Sequence, residues 1–146
     1  MIASVLIIVL SVALFVYWFR YTCLLILSTK TARNYAGAVA EANRLSFPEV
    51  HSRLRAEAGE NLDALRDALE KDYRLLTHLI RSSGALEAGA DDLEERLLML
   101  DFTLMRGWYA VSRFLGIARA HALREMCDIV THFANSMGQR LAYRRV

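Results

Sequence analysis

The sequence predicts an all-α protein: a single N-terminal transmembrane helix followed by a long-helix antiparallel hairpin or bundle. Three observations lead there. Ile2 to Phe19 run for 18 residues without a charge, a Gly or a Pro. One Pro in 146 residues argues against a loop-rich all-β fold. From residue 47 onward, apolar residues recur at three-four spacing, the period of an amphipathic helix.

The first segment, residues 1–28, reads as a membrane anchor. Eighteen helical residues rise about 27 Å, close to the thickness of a hydrocarbon core. Tyr17, Trp18, Phe19 and Tyr21 cluster where the apolar run meets its first charge, and such rings favour the membrane–water interface. Arg20 belongs to the same band, its stem able to snorkel to the head groups. A second register runs on through Cys23 to Leu27 and tilts. A cleaved signal peptide is the competing reading. It is disfavoured by the long apolar run and by an n-region without Lys or Arg. Arg20, Lys30 and Arg33 follow the span, so the positive-inside rule puts the N-terminus outside and residues 30–146 in the cytoplasm. A reducing cytosol suits two distant cysteines, Cys23 and Cys127, that form no disulfide scaffold.

Residues 29–46 read as a juxtamembrane helix. Leu24, Leu27, Thr31, Tyr35, Ala38, Ala42 and Leu45 keep one face, and alanines at 32, 36, 38, 40 and 42 make it narrow. The third segment, 47–146, reads as the hairpin domain. Ser46-Phe47-Pro48-Glu49 predicts a break and a new helix, with Ser46 and Glu49 as a capping box and Pro48 in the first turn. Its stripe is Leu54, Leu62, Leu65, Leu69, Tyr73, Leu76 and Ile80, and Gly84 suits the left-handed position after its end. Asp91 opens the last helix, predicted to run to about residue 140. Leu93, Leu97, Leu100, Leu104, Trp108, Val111 and Leu115 carry its stripe onward to Ala122, Met126, Ile129 and Phe133. Gly107, Gly116 and Gly138 mark possible kinks or ends. Leu97 to Ala118 is apolar nearly all round, which predicts a core helix buried on most sides; a second span would put three charges at bilayer depth.

Net charge of +2 hides an uneven distribution: +3 over residues 1–46, −6 over 47–95 and +5 over 96–146. A hairpin centred near residue 87 pairs positions whose numbers total roughly 174. Glu60, Asp63, Asp67 and Glu70 then stand at the height of Arg106 and Arg113, and an interhelix charge seam would account for the split. The alternative is two solvated faces with local pairs, Asp67–Lys71 and Glu70–Arg74.

No phosphate loop, zinc motif or nucleophile elbow occurs. His121, Glu125, Asp128 and His132 line one side of the last helix, but a single face cannot wrap a metal, and only His51 of the other helix approaches it. Trp108 and Tyr109 read as core or as an interaction hot spot. The basic tail up to Arg145 reads as a frayed, solvated terminus or, where it reaches the surface, as a contact with an anionic leaflet, and the small net charge gives no argument for nucleic acid. The expected role is therefore non-enzymatic, with no cofactor: a membrane-anchored helical scaffold or accessory subunit of a membrane protein complex. Its partners would be the lipid bilayer and other membrane-protein subunits or a second copy. The alternative is a membrane-bound sensor that passes a signal from the span into the hairpin.

Overall fold

The computed structural model describes residues 1–28, 34–56, 61–83, 90–115 and 119–143. Among these residues the secondary structure is entirely helical, in six elements: α1 (Ile2–Ser28), α2 (Ala36–Asn43), α3 (Phe47–Arg55), α4 (Leu62–Ser83), α5 (Ala90–Leu115) and α6 (Arg119–Tyr143). The chain divides into two compact units, Met1–Lys30 and Thr31–Val146.

The first unit is α1. Its 27 residues rise about 40 Å, and it is long and apolar enough to cross a membrane. The helix continues two turns beyond Arg20, through Cys23 to Leu27.

The second unit is a bundle in which α6 is the hub, packing against α2, α3, α4 and α5. This corrects the two-rod hairpin. The helix expected over 47–82 is two helices, α3 and α4. The helix expected over 91–140 is also two, and α6 folds back antiparallel on α5, with Glu95 paired to Arg140 across them. Gly116, one of the glycines flagged as a possible end, lies outside the described residues between α5 and α6, as Glu60 and Gly84 do at other ends. The α4–α5 register expected from the hairpin survives the split. Tyr73 stacks on Phe102 with centroids 3.8 Å apart, within two positions of the anticipated pairing.

The juxtamembrane helix is shorter than its alanine pattern implied. α2 spans eight residues and buries Ala36, Val39 and Ala40, whereas Ala38 and Ala42 of the expected face are exposed. It stops at Arg44, which adopts the left-handed conformation (φ 52°, ψ 48°), while the Leu45 N–H returns to the Ala40 carbonyl at 2.9 Å. That is a Schellman ending made without glycine.

The break before Phe47 occurs where the sequence places it, with Pro48 in the first turn. The capping box does not form: the Ser46 side chain caps nothing, and Glu49 pairs with Arg53 instead. The cap comes from a different helix. Asp72 Oδ2, on α4, accepts the N–H groups of Ser46 at 2.6 Å and Phe47 at 2.7 Å. A carboxylate at a helix N-terminus meets the unpaired donors and the positive end of the dipole together. One side chain thereby fastens α3 to α4.

α6 is buried on most sides: Ala122, Leu123, Met126, Cys127, Ile129, Val130, Phe133 and Ala134 have no exposed surface. Near its end, α2 crosses so closely that a Cβ on Gly138 would stand 2.3 Å from Tyr35 Cβ and 3.2 Å from Val39 Cγ2. Tyr35 Cβ is fixed to its backbone, so relief requires moving α2. Gly138→Ala is expected to destabilise the bundle by about 1–3 kcal/mol through overpacking. Gly107 also sits inside a helix but has open space around it; Gly107→Ala is expected to stabilise by about 0.5–1 kcal/mol. Urea unfolding of the full chain in mild detergent, followed by helical circular dichroism, reads both signs. Equal effects would contradict the close crossing.

Candidate functional site

The acidic side of α4 meets α5 in a polar cluster. Of the seam residues, Glu70 approaches Arg106 at 4.0 Å, while Arg66 and Arg74 of its own helix lie at 3.7 and 3.5 Å. Asp67 is held by its neighbour Arg66 at 2.7 Å. Asp63 does not meet Arg113; it accepts the Tyr109 hydroxyl at 2.9 Å, and the Arg66 guanidinium lies 5.6 Å from the Tyr109 ring centre. Arg113 is exposed, and no ion pair reaches it among the described residues. Glu60 lies outside them. Tyr109, which carries no charge, and Arg66, which pairs within its own helix and lies over the Tyr109 ring, are thus members that the expected seam did not include. Burial, and then the hydrogen bond to Asp63, push the Tyr109 hydroxyl above its ordinary pKa.

Tyr109→Phe is expected to cost about 1–2 kcal/mol, the value of a hydrogen bond to a charged acceptor. Arg113→Glu should stay within roughly 0.5 kcal/mol, as an exposed substitution does. Thermal melts of the two variants check the contrast; a larger loss for Arg113→Glu would restore the seam as first drawn.

The polar side of α6 is divided among different surroundings. His121 is exposed, 4.0 Å from buried Glu125. Asp128 lies near His51 and Arg55 of α3, and burial raises its carboxyl above the ordinary pKa. His132 is half-buried, and burial lowers its pKa, with Glu94 opposing. No three ligand-type side chains converge among the described residues. Burial, with Asp128 and Asp72 nearby, pushes the Cys127 thiol up to about 12, and its S–H points at the Phe47 carbonyl, 3.5 Å away. An open groove on α4 is lined by Asp67, Glu70, Lys71, Arg74, Leu75 and His78.

The outer face of α5 is the most unusual surface of the bundle. The helix turns Leu98, Phe102, Met105, Tyr109 and Ser112 inward at four-three-four-three spacing. The stripe read as core from the sequence is the one that faces out. Leu93, Leu100, Leu104, Trp108, Val111 and Leu115 are each about half exposed or more, and Phe114 is 91% exposed. Leu97 to Leu115 is therefore not covered on most sides by its own chain, which corrects the buried-core expectation. The reason lies in composition. The inward face includes a tyrosine and a serine, with fully buried Asp101 beside it, so simple hydrophobicity ranks the outward Leu-Trp-Val-Phe face higher. Scattered exposed apolar residues are normal, but a run of large ones along one helix marks a contact surface.

On α1, Tyr17, Trp18 and Tyr21 are all more than half exposed, Arg20 is half-exposed, and Trp18 packs edge-on against Tyr21 at 6.2 Å. The four residues form one aromatic-cationic band around the helix. Comparisons with family models, with curated proteins and with solved structures find no match for this chain.

Proposed function

We propose that this chain is a membrane-anchored, non-enzymatic helical module, a scaffold or accessory subunit of a membrane protein complex. The observation that carries the reading is the outer face of α5. A bundle that closes its own core and still holds a strip of large apolar side chains in the open works by contact. Anchoring is supported by α1, which has the length and apolarity for a span, and by the Tyr17–Tyr21 band, which suits a head-group region. Arg20, Lys30 and Arg33 support an orientation with the bundle in the cytoplasm.

Two measurements on native membranes test this. The chain should stay in the pellet through an alkaline wash. After gentle extraction it should migrate above its own 16.6 kDa, in a particle whose subunits stand in fixed ratio. A chain that washes off, or that runs alone at its own mass with a catalytic turnover, overturns the reading.

A further inference from the structure

We propose that α2 is a releasable strap: it lifts from α6 and unwinds while α3 to α6 stay folded, lengthening the connection between α1 and the rest of the bundle. With eight residues, α2 is shorter than the roughly 12–15 that an isolated helix needs in water. It is therefore helical only while docked, and little apolar surface docks it. α2 buries Ala36, Val39 and Ala40, whereas α3, one residue longer, buries Phe47, Val50 and Leu54. α4 buries Leu65, Leu69, Leu76 and Ile80. Hydrophobic stabilisation follows the apolar area removed from water, so α2 is held by less of it than either neighbour.

The two ends of α2 are fastened differently. At the start, the Tyr35 N–H donates to Asn135 Oδ1 of α6 at 2.7 Å, and Gly138, having no side chain, leaves room for Tyr35 beside it. Both contacts run through Tyr35 and are lost together when it moves. At the other end stands Arg44, the one non-glycine residue with a left-handed backbone among the described residues. That conformation is disfavoured wherever a Cβ is present and persists only while its surroundings impose it, so unwinding α2 relieves it. The unwinding also has a stop. Asp72 holds the N–H groups of Ser46 and Phe47 against α4, which keeps α3 in place. Release turns eight residues from about 12 Å of helix into as much as about 27 Å of extended chain. In a chain anchored through α1, as proposed above, the core gains that reach without unfolding.

Hydrogen exchange of the full chain in mild detergent, read by mass spectrometry, tests the strap. Peptides covering residues 36–44 are expected to exchange at least about tenfold faster than those covering 122–134. Low urea should leave the faster rate unchanged, because a local opening exposes little surface. Asn135→Ala should speed exchange in α2 about fivefold, the equivalent of one neutral hydrogen bond, with α4 and α5 unaffected. Arg44→Gly, at an exposed position, should slow α2 about threefold, because glycine removes the strain of the docked form. An α2 as well protected as the α6 core, or opening in step with it as urea rises, overturns the strap. So does an Asn135→Ala chain in which every helix speeds up alike. The anchor is decided separately by the alkaline wash: a chain that washes off yet opens at α2 keeps the strap and loses the anchored reading alone.

Discussion

Asp72→Ala is expected to destabilise the bundle by about 2–4 kcal/mol, because it strands two backbone donors at a helix start rather than one side chain. The Ser46 and Phe47 N–H groups share Asp72 Oδ2, and the carboxyl is 3% exposed. Asp72→Asn keeps an acceptor at the same place and should lose less than half as much. The variants also differ in their response to pH. Burial raises the Asp72 pKa above its usual 3.8, while the two N–H donors and Lys71 pull it back. The folded state therefore holds the proton at a pH where the unfolded chain has released it. The contribution is complete below about pH 4 and is lost as the pH rises through the raised value. Urea unfolding of the full chain in mild detergent, repeated between mildly acidic and neutral pH, should show stability falling in the native chain and a flatter profile in Asp72→Asn. A slope of the opposite sign would mean that hydrogen bonding, not burial, governs this carboxyl.

Phe133→Ala should cost about 3–5 kcal/mol, the range for emptying a fully buried phenyl site. Phe133 has no exposed surface and sits 6.0 Å from Tyr73, which is itself stacked on Phe102. The three rings come from α6, α4 and α5, so the cavity would open where three helices converge and collapse least easily. Phe133→Leu, which keeps most of the volume, should lose only about 1–1.5 kcal/mol. Unfolding midpoints in the same detergent check the pair. Similar losses for both would mean that the site relaxes freely.

The sequence made some of this legible for physical reasons. Pro48 restricts its own φ and the residue before it, so the start of α3 could be read locally. The α4 stripe could be read because its polar and apolar faces differ sharply. Leu65, Leu69, Leu76 and Ile80 are buried as their spacing implies. Three features lay out of reach. Arg44 ends α2 in a conformation that favours glycine, so composition carries no mark of it. The cap on α3 comes from a residue 25 positions away, which no local pattern encodes. On α5 both the inward and the outward stripes are periodic, and tertiary packing, such as that of Tyr73 on Phe102, decides which one closes the core. In the candidate site, the charges of the seam were visible. Tyr109, an uncharged donor to Asp63, was not.

The hub position of α6 also sets an order of events during synthesis. α2 to α5 are made before the helix they all pack against. At roughly 5–20 residues per second, the ribosome takes on the order of ten seconds to travel from α2 to the end of α6. For that interval the four earlier helices have their faces ready and no centre to close on. Nascent chains arrested before residue 119 should be cut readily by protease within α2–α5, and chains released past residue 143 should resist, so assembly waits on the arrival of one late helix.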